Sequence, residues 1–289
     1  MEYIFYILIM VNIYIILAAS LNLLLGFTGL ISIAHAAFMG IGAYTTTILL
    51  VRYGVNFFLT IPFGIIMSGG ISALIALPSL RVRGEHYIIA SFGFQILLYS
   101  IMLNWVSLTR GPFGFAAIPR PSIFGYVFST YLSYFVMSSL IMLACVFFCW
   151  HLSKSPFGLV LRAIREDEIP VAAAGKNVTY YKVVVFITGC AIAAIAGSLY
   201  AGVISFIDPF CFTIHDSILI LAVVIIGGTG NIAGSMVGAL VLITLPEILK
   251  FLQVSETVAA PLRQMVYGAL LVLFMRFRPQ GLLPEYKEK

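Results

Sequence analysis

The sequence predicts an all-α fold, a polytopic bundle of about eight to ten transmembrane helices, one or two of them broken or re-entrant. Two observations carry this. Of 289 residues, 62% are apolar and only 9% charged, against about 45–50% and about 25% in soluble domains, and a soluble core of this size has no room for so much apolar surface. The apolar stretches are also continuous, with many of them about twenty residues long, whereas a membrane β-barrel alternates in segments of about ten. A third observation organises the rest. Eight of the 27 charged side chains fall between Lys154 and Lys182, so a polar segment sits between two apolar ones.

The first span is Tyr3–Leu25. It has no basic leader and no small-residue cleavage site, so it reads as a span and not as a cleaved signal. Then come Ser32–Val51, Phe58–Leu80, Tyr87–Val106, Val127–His151, Tyr181–Phe206, Ser217–Ile226, Ile232–Leu252 and Leu262–Met275. The second follows Gly26-Phe27-Thr28-Gly29 with almost no polar loop. The seventh is too short for about 30 Å of hydrocarbon at about 1.5 Å per residue. Either is a candidate broken or re-entrant helix, which a membrane tolerates only where protein or a water-filled cavity covers the freed backbone. The segment Ser107–Tyr126 is rich in Gly and Pro and predicts a structured lip instead of a helix. With Ile207–Asp216 it forms the longest outside segments. The whole chain, 1–289, reads as one membrane domain, with 155–177 as a loop within it.

With the charged stretch in the cytoplasm, Arg81, Arg83, Lys154, Arg162, Arg165, Lys176, Lys182, Arg276, Arg278, Lys287 and Lys289 lie inside. Arg52, Arg110, Arg120, Lys250 and Arg263 lie outside. Eleven against five satisfies the positive-inside rule and places the N-terminus outside and the C-terminus inside. The net charge of +5 then reflects loops facing anionic lipid and not nucleic acid. Cys145, Cys149, Cys190 and Cys211 lie in or beside apolar spans, as small buried hydrophobes do. No metal or cofactor site is expected.

Three segments carry mechanism. In the charged stretch, Ser155 caps a helix with Pro156 at its first position. Phe157, Val160, Leu161 and Ile164 share one face, and Arg162, Arg165 and Glu166 share another. Pro170 is expected to end this helix, with Ile169 extended. A second piece, Val171–Ala174, follows and stops at Gly175. The two pieces form a protruding knob. Resting on anionic lipid is one use for it, but Glu166, Asp167 and Glu168 make its polar side mixed in sign, which favours a protein partner.

The second feature is two ladders of small residues. Gly189, Ala193, Gly197 and Ala201 predict close helix packing. Gly230, Gly234 and Gly238 begin inside Gly227-Gly228-Thr229-Gly230-Asn231, where a helix breaks into either a plain turn or a gate. The third is the run from Gly26 to Tyr44, in which Gly29, Ser32, His35, Gly40, Gly42 and Tyr44 place polar and glycine positions at membrane depth. Broken helix ends there suit a zwitterion; a hydrogen bond to a neighbouring helix is an equal use for His35.

No span has Asp, Glu, Lys or Arg at its centre, so ion coupling has no evident site. No glycine loop ends in Gly-Lys-Ser/Thr, so the chain carries no Walker A ATPase motif. A cytoplasmic knob on a pathway without its own motor points to a separate ATPase.

Seven stretches carry a resemblance. They are LNLLLGFTGLISIAHAAFMGIGAY (Leu21–Tyr44), LRVRGEHYIIASFGF (Leu80–Phe94), RGPFGFAAIPRP (Arg110–Pro121), RAIREDEIPVAAAGKNV (Arg162–Val178), AIAGSLYAGVISFIDP (Ala194–Pro209), ILAVVIIGGTGNIAGSMVGA (Ile220–Ala239) and FRPQGLLP (Phe277–Pro284). Together they resemble the permease subunits of branched-chain amino acid ABC importers, in the LivM-like branch. The resemblance implies a bacterial inner-membrane assembly. A periplasmic binding protein delivers substrate at the outer loops, this subunit and a paralogous permease form the path, and two cytoplasmic ATPases, using ATP and Mg, drive it. Arg162, Arg165, Glu166, Asp167, Glu168, Ala172, Ala173 and Gly175 would form the coupling helix, with Ala172-Ala173-Ala174-Gly175 loosely like the EAA-type loop and lacking its leading Glu.

Three alternatives remain open from sequence. The first is the same architecture carrying urea, short amides or sugars. The second is an independent carrier or channel. The third is an intramembrane protease using Ser32 and His35 or Ser91 and His86, for which no catalytic motif is present.

Overall fold

The computed structural model describes residues 2–79, 85–123, 126–250, 256–277 and 281–283. Twelve α-helices account for most of them: α1 (Glu2–Thr28), α2 (His35–Tyr53), α3 (Phe57–Ser79), α4 (Glu85–Asn104), α5 (Val106–Thr109), α6 (Tyr131–Lys154), α7 (Pro156–Glu166), α8 (Glu168–Ala173), α9 (Val178–Ile204), α10 (Ile214–Gly227), α11 (Ile232–Lys250) and α12 (Glu256–Phe277). Two 3-10 turns (Gly111–Phe113 and Pro209–Phe212) and four two-residue strands complete the described elements. β1 (Phe115–Ala116) pairs antiparallel with β4 (Phe206–Ile207), and β2 (Ser122–Ile123) with β3 (Tyr126–Val127).

Six stretches are long and apolar enough to cross a membrane: Glu2–Thr28, Phe57–Ala76, His86–Asn104, Tyr131–Lys154, Val178–Ile204 and Pro209–Gly227. With α2, α11 and α12 they correspond to the nine expected spans. The protein is therefore a multi-pass membrane protein, and every backbone group in such helices is satisfied within the segment, as hydrocarbon demands.

α1, α2, α9 and α10 occupy the centre, and α9 packs along α1, α2 and α3. The first small-residue ladder explains why. A Cβ on Gly197 would stand 1.9 Å from the Met39 carbonyl oxygen, and one on Gly42 2.1 Å from the Ala194 carbonyl oxygen. Only glycine lets α2 and α9 approach this closely, which is the packing role expected of that ladder. Thr46 donates to Ser198 at 2.8 Å in the same contact.

The bundle has two ends. One carries α7 and α8. The other carries β1 to β4, and there Arg52 donates to the Ser107 and Leu108 carbonyls, while Arg110 and Arg120 lie over the Phe115 and Tyr131 rings. The lip is indeed an irregular structured cap, apart from the single turn of α5. Val127, expected to open a span, instead belongs to the β2–β3 hairpin, and α6 begins at Tyr131.

Other expectations need correction. α1 continues through Gly26 and Phe27 to Thr28, so its break lies at 29–34. Ile169 is helical and not extended. The elbow is at Asp167, whose backbone is extended (φ −158°, ψ 126°) and whose side chain accepts from the Ile169 amide at 2.9 Å. Pro170 then sits in the first turn of α8, where its missing N–H is not needed. Gly230 is not part of a helical ladder; it lies in the turn between α10 and α11 with φ +81°. Of the residues expected inside, Arg81, Arg83, Arg278, Lys287 and Lys289 lie outside the described residues, as do the span ends Leu80 and Leu252.

Candidate functional site

The residues singled out from sequence fall into two groups. The first is built on the knob. Ser155 caps α7 by accepting from the Gly158 amide. Leu161 and Ile164 are buried, Phe157 stacks on Tyr181 of α9 at 5.1 Å, and the Lys182 ammonium pairs with Glu168. The knob is thus fixed to the bundle by an apolar face and an ion pair.

Its charges do not all point outward. Arg162 lies with its guanidinium 5.0 Å over the Phe27 ring of α1. Arg165 donates to the Gly26 carbonyl and to Glu166. Glu168 is engaged with Lys182. The exposed ridge consists of Leu159, Glu166, Asp167, Ile169, Pro170 and Ala172–Gly175, and the Ile169 side chain is 75% exposed. Of the eight expected coupling residues, Glu166, Asp167, Ala172, Ala173 and Gly175 lie on this ridge. Arg162, Arg165 and Glu168 turn back into the protein.

Gly26, whose carbonyl takes the Arg165 bond, also touches the α10–α11 turn. A Cβ there would lie 2.2 Å from the Gly230 amide nitrogen. One helical turn earlier, the fully buried Asn22 completes the joint. Its Nδ2 donates to the Asn231 carbonyl at 2.9 Å and to the Ser235 hydroxyl at 2.7 Å, and its Oδ1 accepts from the Gly230 amide at 2.9 Å. The other side of the turn is held by the 281–283 segment, whose Leu282 and Leu283 amides donate to the Ile226 and Gly227 carbonyls. Gly29, Gly227, Gly228, Gly230 and Asn231 therefore gather at the α7 end of the molecule, around the last turns of α1. Asn22 escaped the sequence reading, although a polar amide inside an apolar span was its visible signal.

The second group lies higher in the bundle, along α2. The 29–34 segment runs back beside α1, so α2 begins inside the protein at the level of Ser20. His35 is fully buried and its Nε2 stands 2.7 Å from the Ser20 hydroxyl. That hydroxyl donates to the Leu17 carbonyl, so it accepts from Nε2–H, which sets the tautomer. His35 Nδ1 has no hydrogen-bond partner among the described residues.

The first amides of α2 are not free. Ala36 N donates to Ser217 Oγ at 3.0 Å, Ala37 N to Gln95 Oε1 at 3.0 Å, and Ile33 N to Ser91 Oγ at 3.1 Å. Gln95 Nε2 donates in turn to the Phe212 carbonyl. The chain itself thus saturates this helix start. Ser32, buried beside it, accepts weakly from Ala34 N at 3.4 Å.

Phe212 marks a second re-entry. The 205–213 segment dips from the strand end to the middle of α4, and α10 starts there, inside the bundle. Its first turn is closed by Asp216, whose carboxylate accepts from the Thr213 amide and hydroxyl at 2.9 and 2.7 Å. A half-buried carboxylate therefore stands deeper than the sequence suggested. Gly40 makes room for Phe212 and Met102. Tyr44, buried between Phe115 and Phe212, borders an open apolar groove of ≈ 600 Å³ among α2, α3 and α4, with Ile41, Met67, Leu98, Met102 and Trp105 along it and Met67 and Trp105 exposed. Ser32, His35, Gly40, Gly42 and Tyr44 are thus one group, separate from the glycine turn.

The family model described as "Branched-chain amino acid transport system / permease component" matches residues 3–275. The chain is 32% identical to the high-affinity branched-chain amino acid transport system permease protein LivM of Salmonella typhimurium, over 95% of this chain and 68% of that one. It is likewise 32% identical to LivM of Escherichia coli, over 94% and 68%. The permease protein LivH of Salmonella typhimurium is 26% identical over 93% of this chain and 91% of its own. No solved structure matches the chain.

Proposed function

The chain belongs to the family of branched-chain amino acid transport permease components, and from that premise we propose that it is one of two membrane subunits of an ATP-driven importer of branched-chain amino acids in the bacterial inner membrane. Its partners in this reading are a second, paralogous permease, two cytoplasmic ATPases that use ATP and Mg, and a periplasmic binding protein. The α7–α8 ridge faces the cytoplasm and seats in an ATPase groove. The N-terminus lies outside, the C-terminus inside, and the β1–β4 cap receives the binding protein.

The observation that carries the reading is the joint at Gly26. One peptide of α1 takes a guanidinium from the knob and contacts the backbone of the α10–α11 turn, while Asn22 holds that turn by three hydrogen bonds. When closing ATPases displace α7, the Arg165 bond draws the end of α1, and Asn22 draws the turn with it. A rigid helix with hydrogen-bonded contacts at both sides moves as a unit, which is how a small shift at one site becomes a rearrangement at another. The apolar wall beside Tyr44 suits a leucine-sized side chain, and specificity then rests with the binding protein. Access between the α2 group and the glycine turn alternates as the joint moves.

Reconstitution of the four kinds of subunit tests this. Arg165→Ala is expected to leave ATP hydrolysis and slow leucine uptake by about tenfold or more, the loss of a charge-assisted hydrogen bond. Ala172→Trp on the exposed ridge is expected to reduce co-purification of the ATPases with no loss of folded protein. Full retention of both ATPases by Ala172→Trp, together with unchanged uptake by Arg165→Ala, would falsify the coupling role.

A further inference from the structure

We infer that the start of α10 is a station for the ammonium group of a small amino acid, with the Asp216 carboxylate as its counter-ion. The identity of the ligand rests on the transport reading; the site rests on this chain's own residues. Asp216 stands within the apolar stretch Pro209–Gly227, at a depth where an ionisable side chain marks a substrate or ion path. Capping does not account for its charge. Its bonds to Thr213 both end on Oδ2, and a neutral amide at that position closes the same turn. Oδ1, near the residue's own amide, keeps a lone pair. Among the described residues no Lys or Arg side chain pairs with this carboxylate, and the neighbouring His215 is exposed. A carboxylate so placed is costly until a cation joins it.

The groups around it fit an organic ammonium. Tyr14 on α1 and Tyr200 on α9 are close enough to feel the Asp216 charge, and all three residues are only partly buried, so a ligand can reach them. The Tyr200 and Tyr44 rings lie 5.9 and 6.0 Å from the ring of Phe212, just ahead of the Thr213 cap. A carboxylate among aromatic rings holds an organic ammonium, whereas a metal ion needs further oxygen ligands. Among the described residues no group of three His, Cys, Asp or Glu could hold a metal. A second polar atom is left open here. Tyr44 is 4% exposed, and its hydroxyl has no hydrogen-bond partner among the described residues. It lies near Cys211, whose amide and thiol are both given to Asp208 at 3.1 Å, and the Tyr200 hydroxyl lies against the same thiol. A buried phenol without a partner is costly, and the polar end of a bound amino acid supplies one. Thus α1, α2, α9 and α10 each bring one group to this place.

The test is equilibrium binding of tritiated leucine to the purified full chain in lipid nanodiscs, with competitors. 3-Methylbutylamine, which keeps the ammonium and lacks the carboxylate, is expected to displace leucine. 4-Methylpentanoate, which keeps the carboxylate and lacks the ammonium, is expected to need a concentration about tenfold higher or more, the worth of a charge-assisted hydrogen bond. Asp216→Asn preserves the cap and removes the charge. It is expected to bind leucine about tenfold more weakly and to lose the preference for the amine, with its unfolding midpoint kept. Loss of that preference is a change that a purely structural role does not produce, and if Asp216→Asn fails to fold, the competition series on the wild type decides alone. Equal displacement by the two competitors, or unchanged leucine affinity in Asp216→Asn, overturns the site. Displacement of leucine by sodium in place of choline at equal ionic strength shows an inorganic cation site instead, and overturns the ammonium assignment. No step uses the ATPases: a chain that binds leucine this way in a complex that imports none overturns the transport reading alone, and an importing complex whose chain fails the competition overturns only the site.

Discussion

Two helices of this protein start inside the bundle, and they solve the same problem in opposite ways. α10 brings its own cap. Thr213 and Asp216 stand three residues apart, and the carboxylate reaches back to the Thr213 amide and hydroxyl. α2 has no side-chain cap of its own. Ala34 precedes it without a side-chain bond, and its first amides are taken by Ser217 from α10 and Gln95 from α4. A helix capped by its own residues keeps its start wherever it moves. A helix capped by two neighbours keeps it only while those neighbours stay in register. The α2 start is thus the place where movement of α4 or α10 is felt, and α10 is the more self-contained element.

The difference can be broken most severely at Gln95. Gln95→Leu removes the acceptor for the Ser217 hydroxyl and the donor to the Phe212 carbonyl, leaving two buried groups without these partners at about 1–3 kcal/mol each, and it takes from the Ala37 amide one of its two acceptors, the other being the Ala34 carbonyl. Detergent-solubilised protein is expected to lose most of its folded fraction, and thermal unfolding measures it. Gln95→Glu keeps the acceptor and is expected to lose about half as much. If Gln95→Leu melts with the wild type, the borrowed cap is not what holds α2.

A smaller effect is expected at the self-capped helix. Asp216→Ala removes one cap, worth about 1 kcal/mol, while the start of α2 stays closed. Hydrogen exchange separates the two, with faster exchange confined to the first turn of α10 for Asp216→Ala and spread over α2, α4 and 205–213 for Gln95→Leu. The same pattern from both variants would erase the contrast. Smallest of all is Ser91→Ala, which removes the single acceptor for Ile33 N at about 0.5–1.5 kcal/mol. It is expected to loosen 29–34 without moving the unfolding midpoint of the remaining bundle by more than a few degrees.

Much of this was legible before any coordinates. The positions of the spans, the knob with its Ser155 cap and its stop at Gly175, and the close packing of Gly197 follow from hydropathy, cap chemistry and side-chain size, whereas the seventh span, expected to be too short, extends back to Pro209 and is long enough to cross. These are properties of neighbours in sequence. The Thr213-x-x-Asp216 cap is equally local, but the polar residues of Ile207–Asp216 predict an outside loop and hide it. The elbow was misplaced for a related reason. Pro170 by itself predicts a helix stop, whereas Asp167 as a cap allows proline in the first turn.

What the sequence by itself determined is that this chain must live in a bilayer, that it contains a charged knob between spans, and that one or two of its helices are candidates for interruption, because apolar runs, caps and glycines act over a few residues. Only the tertiary structure decided that Arg162 and Arg165 face inward, that Asn22 and Gly26 join the knob to the α10–α11 turn, and that the α2 group and the glycine turn are separate places. Those outcomes depend on hydrogen bonds between residues more than a hundred positions apart. A one-dimensional pattern carries no register between distant helices; packing alone sets it.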